Sequence, residues 1–126
     1  MLKQIFLATG LAFAAATAAY AAEPANILQT AKGATLVNAS GLILYVFDKD
    51  PVGKSVCNGA CATNWPPFEA SGMAASEGDY SVVSRDDGAH QWAYKGKSLY
   101  RWVKDVKPGD ISGDGLLGGT WHVAQP

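Results

Sequence analysis

The sequence has little of several things that would point to a function. It carries two cysteines, two methionines and two histidines, and its 10 Lys and Arg nearly balance 11 Asp and Glu. Without a basic surplus, neither nucleic acid nor an anionic membrane is expected as a partner. It has no Gly-x-Ser-x-Gly element and no glycine-rich phosphate loop ahead of a helix, so the common hydrolase and nucleotide-binding signatures are absent. We predict that the protein is not an enzyme and holds no cofactor.

Residues 1–21 have the pattern of a secretory signal peptide. Lys3 is the single charge, an alanine-rich apolar run extends from Ile5 to about Ala16, and residues 19–21 fit a small-x-small cleavage site. We predict cleavage after Ala21 and a periplasmic or secreted bacterial protein. The alternative is an uncleaved membrane anchor, but the run is weakly hydrophobic and barely long enough to span a bilayer. No cysteine follows it for lipid attachment, so no stable membrane anchor is expected after cleavage.

The chain beyond the cleavage site is predicted to form one small domain. Removal of Lys3 leaves 9 Lys and Arg against 11 Asp and Glu, a formal charge of 9 − 11 = −2. We expect residues 22–33 to be an exposed lead-in and residues 34–126 to be a single β-rich domain.

Cys57 and Cys61 are the only cysteines, and export places them in an oxidising compartment. A structural disulfide is the favoured prediction, because Asn58-Gly59 supplies the flexible turn that so short a ring requires. A redox-active dithiol would more often have the spacing Cys-x-x-Cys. A metal site would need further ligands, and no histidine lies nearby. Both alternatives stay open.

The most informative pattern is an internal duplication. Residues 41–50 read Gly-x-x-Leu-Tyr-x-Phe-x-x-Asp, and residues 96–105, 55 positions later, read Gly-x-x-Leu-Tyr-x-Trp-x-x-Asp. Trp65 has its counterpart in Trp121. Two copies of a supersecondary unit suggest that each half buries the apolar face of the other. We therefore predict two pseudo-symmetric β repeats, over residues 34–68 and 80–124, joined by a loop that the disulfide staples.

The coarse pattern is all-β. Strands are predicted over residues 35–37, 42–47, 80–84, 90–94, 98–103 and 120–123, one helical turn over 60–64, and a non-repetitive loop over 104–119. No segment of ten residues after residue 34 shows a convincing helical period.

The repeated motif has a physical interpretation. A tyrosine and an aromatic residue two positions apart share one face of a strand and can pack as one apolar slab. An aspartate three residues later can accept backbone N–H bonds and fix the following turn. The motif residues are Tyr45, Phe47 and Asp50 in the first repeat and Tyr100, Trp102 and Asp105 in the second.

These two motifs resemble the signatures of a bacterial family of secreted proteins and predicted lipoproteins with a repeated Tyr-x-[Phe/Trp/Tyr]-x-x-Asp motif and no assigned function. The surrounding segments agree, including the Cys-x-x-x-Cys-x-x-x-Trp-Pro-Pro run at residues 57–67. The resemblance covers roughly residues 33–126. It implies an envelope location and a repeated β-rich unit, and it implies no catalysis.

A metal site is the main functional alternative. His90, His122 and Met73 are ligand types that suit copper, although nothing in the sequence brings them together. Asp48, Asp50 and Gly53 imitate part of a calcium loop, but Val52 and Gly59 stand where oxygen ligands are needed. Asp105, Asp110 and Asp114 form a second acidic loop.

The function predicted from the sequence is therefore a non-enzymatic binding or accessory protein of the cell envelope, with partner and ligand unknown. The alternative is a metal-binding (copper or calcium) or redox-linked envelope protein. A third hypothesis is a structural protein that assembles through exposed strand edges. The tryptophans could line a groove for a ligand, but in a domain with little leucine they are expected to form the core.

Overall fold

The computed structural model describes residues 23–126, so the signal peptide predicted over residues 1–21 lies outside the described part. The described chain is largely β, as predicted, with short strands and two short helical segments. The strands are β1 (Asn26–Thr30), β2 (Gly33–Val37), β3 (Tyr45–Phe47), β4 (Tyr80–Ser84), β5 (His90–Tyr94), β6 (Lys97–Ser98) and β7 (Trp121–Val123), and the helical segments are α1 (Ala60–Asn64) and α2 (Leu116–Gly119).

The strands form three small antiparallel sheets. β1 pairs with β2, β3 with β7, and β4, β5 and β6 form a meander. The β5–β6 turn has Lys95 and Gly96 at φ of 49° and 85°. Left-handed conformations at both central residues are typical of the tight hairpin turn that matches the twist of its strands. The strands predicted over 80–84 and 90–94 and the helical turn predicted over 60–64 are all confirmed.

The structure differs from the prediction at the beginning of the domain. Residues 26–30, expected within an exposed lead-in, form β1 and pair along their length with β2. Their own sequence has no clear alternation, so the strand is decided by its pairing with β2 and by apolar contacts with the core. Ala25 is buried, and Leu28 packs against the core.

Two equivalent lobes are built around closed triangles of backbone hydrogen bonds. In the first lobe, the Leu36 N–H donates to the Ala124 carbonyl, the Ala124 N–H to the Leu44 carbonyl, and the Leu44 N–H to the Leu36 carbonyl, at 2.8–2.9 Å. In the second lobe, three residues at the corresponding repeat positions, Trp92, Phe68 and Leu99, form the same cycle at 2.8–2.9 Å. Each triangle joins three chain segments through one residue apiece.

This geometry explains why two predicted strands are shorter than expected. Regular pairing covers only residues 45–47 of the predicted strand 42–47 and 97–98 at the beginning of the predicted strand 98–103. Because the chain changes its hydrogen-bond partner at Leu44 and Leu99, no neighbour runs alongside for more than a few residues. The apolar residues of these two segments therefore indicate burial, and they do not indicate a long run of paired strand residues.

The two lobes meet at a pair of tyrosines. Tyr45 N–H donates to the Tyr100 carbonyl at 2.8 Å, and Tyr100 N–H donates to the Tyr45 carbonyl at 2.9 Å. This reciprocal pair is the arrangement expected at an approximate twofold axis.

The repeats also exchange strands across this axis. β7 of the second repeat pairs with β3 of the first, and Pro67 of the first repeat forms a bridge to Tyr100 of the second. Each lobe therefore contains segments of both repeats, and the mutual coverage predicted from the duplication is confirmed.

Candidate functional site

The motif aromatics and the two equivalent tryptophans form a column of four rings through the centre of the molecule. Trp65 and Trp121 stack in the middle, with ring centroids 3.8 Å apart and planes within 2° of parallel. Phe47 covers the outer side of Trp121 at 4.3 Å, and Trp102 covers that of Trp65 at 4.3 Å. The motif residues thus end the column at both sides, each on the tryptophan of the other repeat.

The motif tyrosines flank this column with their rings nearly perpendicular to those of the tryptophans. Tyr45 meets Trp65 at 5.4 Å and Tyr100 meets Trp121 at 5.1 Å, both nearly perpendicular. Edge-to-face contacts place the positive ring edge against the negative ring face. Both tyrosines are fully buried, so each hydroxyl requires a hydrogen-bond partner inside the protein.

Asp105 of the second repeat is the partner of Tyr45. The Tyr45 hydroxyl donates to Asp105 Oδ2 at 2.6 Å. Asp105 Oδ1 accepts the backbone N–H of Ser112 at 3.0 Å and its hydroxyl at 2.7 Å. Gly113 N–H donates to the Tyr45 hydroxyl at 3.1 Å. A β-carbon at Gly113 would lie 2.8 Å from the Trp65 ring, so glycine permits this close approach.

Asp50 of the first repeat forms the reciprocal pair with Tyr100. The Tyr100 hydroxyl donates to Asp50 Oδ2 at 2.6 Å, and Asp50 Oδ1 accepts the backbone N–H of Val56 at 2.8 Å. The Lys97 ammonium donates to the Asp50 carbonyl at 2.9 Å. The prediction that each aspartate fixes the turn after its strand is therefore correct, and each also anchors the tyrosine of the other repeat.

The Tyr100–Asp50 pair connects to a buried arginine. Arg85 Nη1 donates to Ser55 Oγ at 2.9 Å and to Gln91 Oε1 at 2.8 Å. Ser55 Oγ lies 2.6 Å from the Tyr100 hydroxyl. Because Arg85 can only donate and Tyr100 donates to Asp50, the serine hydroxyl must donate to Tyr100. A directed chain therefore runs from the guanidinium to the carboxylate.

The same strand positions carry a smaller pair in the first lobe. The register of the hairpins places Thr30 and Thr35 where the second lobe has Arg85 and Gln91. The two threonine hydroxyls lie 3.2 Å apart. The lobes thus share their geometry and differ in charge. Of these two equivalent pairs, the pair in the second lobe contains a buried cation, Arg85, and the pair in the first lobe contains none.

Burial controls the ionisation of these groups. Burial and the hydrogen bond to the partner aspartate raise the pKa of both Tyr45 and Tyr100 well above the ordinary value of 10.0. Burial also raises the pKa of Asp50, although its bonds from Tyr100 and Val56 oppose this. The tyrosines are therefore neutral donors at any physiological pH, which suits them to holding structure.

We expect the stability of the protein to fall as the pH rises above 10. In the unfolded chain tyrosine ionises near pH 10, whereas the folded-state pKa values of Tyr45 and Tyr100 are higher and burial raises the pKa of Tyr80 to about 12. The unfolded state therefore binds fewer protons in this range, and alkali favours unfolding. Ultraviolet titration of tyrosinate, followed alongside circular dichroism, should show these residues ionising together with unfolding. If buried tyrosines ionised near pH 10 while the protein was still fully folded, this expectation would be wrong.

The disulfide prediction is confirmed: Cys57 and Cys61 are bonded, and the described residues include no free cysteine. All six motif residues converge on the interface between the repeats. Five of them are buried and Trp102 is partly buried.

The structure gives the three copper candidates different surroundings. His122 lies in β7 with Nε2 2.7 Å from Asp48 Oδ2, and both side chains are about half exposed, at 45% and 54%. His90 begins β5 and its ring faces Gly72. Met73 lies in the connector between the repeats and is 93% exposed.

The aspartates of the two acidic loops have separate partners. Asp48 faces His122 whereas Asp50 faces Tyr100. Asp110 accepts the backbone N–H groups of Val106 and Lys107, and these bonds lower its pKa. Over residues 23–126, no group of three or more His, Cys, Asp or Glu is arranged to hold a metal ion. The metal-binding alternative stays a prediction that metal analysis of protein from its native compartment would test.

Sequence reasoning missed the cross-repeat pairing of tyrosine with aspartate. A signal was present, because both residue types recur together and a buried tyrosine needs an acceptor. It also missed Arg85, Ser55 and Gln91. Arg85 and Gln91 carried no signal, since Thr30 and Thr35 stand at their positions in the other repeat.

The part of the chain that the structure describes contains no detected pocket, and none of its helices is long and apolar enough to cross a membrane. Trp65 and Trp121 are buried in the core, as expected of the tryptophans, whereas Trp102 and Trp92 are partly buried against it.

Comparison with known proteins gives one result. The Lipoprotein_15 family model, described as a secreted repeat of unknown function, matches the chain twice, over residues 26–69 and 81–125. Its first match begins at β1, earlier than the repeat predicted from residue 34. No curated protein and no solved structure matches the chain. The chain therefore belongs to this family of secreted repeats of unknown function, and it carries two copies of the repeat.

Proposed function

We propose that this chain is a non-enzymatic binding or accessory protein of the bacterial cell envelope, exported to the periplasm by residues 1–21. The observation that carries the proposal is the reciprocal pairing of Tyr45 with Asp105 and of Tyr100 with Asp50 at 2.6 Å. The motif residues that could carry chemistry are buried and bonded to one another. They act as the fastening between two repeats, and any contact with a partner must use the outside of the lobes.

The outside of the lobes supports a binding role. β1 and β4 are the outer strands of their sheets in the described chain, and an outer strand offers backbone donors and acceptors to a partner. Apolar side chains also stand exposed: Val52 at 79%, Met73 at 93% and Val106 at 76% on loops, and Leu117 at 71% in α2. A domain fastened internally in this way is a rigid support for such contacts.

The proposal is tested by fractionation and calorimetry together. The full chain should appear in the periplasmic fraction, and a variant lacking residues 2–21 should stay in the cytoplasm. The purified domain should release heat on titration with envelope glycans or peptides, and Tyr45→Phe, which alters only the interior, should bind equally well per folded molecule. Turnover of any of these compounds that tracks the folded protein through purification would refute a non-enzymatic role.

A further inference from the structure

We propose that the Cys57–Cys61 disulfide is a redox-sensitive latch on one of the two tyrosine–aspartate pairs. Reduction by a dithiol loosens the Tyr100–Asp50 pair through Arg85 and leaves the Tyr45–Asp105 pair in place. The inference concerns the conformation of the domain and does not depend on the identity of its partner.

The path from the disulfide to the pair is continuous and buried. The Cys57 carbonyl accepts a hydrogen bond from Arg85 Nη2 at 2.6 Å. The backbone N–H of Cys57 donates to Ser55 Oγ at 3.3 Å, and Arg85 Nη1 donates to the same oxygen at 2.9 Å. Ser55 Oγ lies 2.6 Å from the Tyr100 hydroxyl. Displacement of Cys57 therefore disturbs two acceptors of Arg85, the Cys57 carbonyl and Ser55 Oγ, and the second of these also contacts Tyr100.

The disulfide holds the segment that supplies these acceptors. It closes a ring from Cys57 to Cys61, and Asn58 within that ring gives Arg85 another acceptor at 3.3 Å. Residues 55–59, which supply these acceptors, lie outside any helix or strand, since α1 begins only at Ala60. Breaking the bond restores conformational freedom to the segment. A buried guanidinium that loses some of its acceptors is unfavourable, so Arg85, which keeps Gln91 Oε1, must shift or admit water.

The first lobe offers a built-in comparison. Asp105 and Tyr45 are held by Ser112 and Gly113 through direct bonds, and no cysteine or arginine of the described chain is a side-chain hydrogen-bond partner of either residue. The corresponding strand positions carry Thr30 and Thr35. Reduction should therefore affect the two pairs unequally, although their own geometries are alike.

The reduction step is a thiol–disulfide exchange with a dithiol as reductant. A thiolate of the dithiol attacks the sulfur of Cys61, the less buried cysteine, and Cys57 leaves as a thiolate that takes up a proton. The second thiolate of the reductant then attacks the mixed disulfide and releases Cys61. The dithiol ends as a disulfide, the protein gains two thiols, and two electrons are transferred.

Nuclear magnetic resonance of the unsubstituted protein with ¹³C-labelled tyrosine rings tests the latch, and variants are needed only for assignment. On addition of a dithiol, the ring signals of Tyr100 should shift or broaden and those of Tyr45 should stay in place. Tyr45→Phe and Tyr100→Phe assign the signals. Equal changes at both tyrosines, or a change at neither once thiol titration shows full reduction, would overturn the proposal.

Thermal unfolding provides a second test. The double substitution of Cys57 and Cys61 by Ser should lower the midpoint of thermal unfolding, and so should Tyr100→Phe. When all three are combined, the loss in midpoint should be smaller than the sum of the two separate losses. The shortfall is about 4–8 °C for each 1 kcal/mol of coupling in a domain of this size. With Tyr45→Phe as the matched control, the losses should add. Additive losses in both combinations would show that the disulfide acts only as a local staple.

Discussion

Trp121→Ala should lower the free energy of unfolding by about 3–5 kcal/mol, the range for removing a buried large aromatic side chain. Trp121 has no exposed surface, lies between Trp65 and Phe47 in the ring column, and contacts Tyr100 with the two rings nearly perpendicular. Its loss opens a cavity where both repeats meet. Because small domains have total stabilities of about 5–15 kcal/mol, much of the protein could unfold near ambient temperature.

Chemical denaturation followed by circular dichroism measures this loss. Trp65→Ala is expected to cost a similar amount, because Trp65 occupies the equivalent position in the column. Trp92→Ala is the matched control: Trp92 is partly buried and lies outside the column, so its loss should be clearly smaller. Equal losses for Trp92 and Trp121 would contradict a column that holds the repeats together.

Asp105→Ala should lower the free energy of unfolding by about 1–3 kcal/mol, the cost of leaving the buried Tyr45 hydroxyl without its acceptor. The substitution removes the acceptor of the Tyr45 hydroxyl and of the Ser112 backbone N–H. In this background Tyr45→Phe should cost little further, since the hydroxyl has already lost its acceptor.

The four proteins of this double-mutant cycle can be compared by urea denaturation. Asp86→Ala serves as the control, because the Asp86 side chain is 64% exposed and its ion pair with Lys54 lies at the surface; its effect should stay within a few tenths of a kcal/mol. A cycle in which the losses of Asp105→Ala and Tyr45→Phe add fully would show that their contact at 2.6 Å contributes no coupling energy.

These expectations give the repeated motif a physical meaning. Its tyrosine supplies a backbone pair at the axis, its aromatic residue ends the ring column, and its aspartate receives the tyrosine hydroxyl of the other repeat. A single repeat would leave each of these groups without its partner. The motif is therefore a device for joining two repeats, and selection for any binding role would act on other positions.

The duplication allowed much of the architecture to be predicted. The local sequence pattern predicted the hairpin strands at 80–84 and 90–94, the helical turn at 60–64 and the disulfide. The repeated motif predicted that the halves pack through their shared aromatic face. Strand length at residues 42–47 and 98–103 did not follow, because the partner changes at Leu44 and Leu99. β1 did not follow either, since its pairing with β2 rather than its own composition makes it a strand.

The sequence by itself determined that two like β units with matched Tyr, aromatic and Asp positions must cover each other, because each carries an apolar face that cannot stay in water. Tertiary structure alone decided that strands and side chains cross between the repeats, so that Tyr45 bonds Asp105 and Tyr100 bonds Asp50. It also decided that Arg85 lies buried against the disulfide loop. Such contacts join residues far apart in the chain, and no local periodicity encodes which distant donor will reach which acceptor.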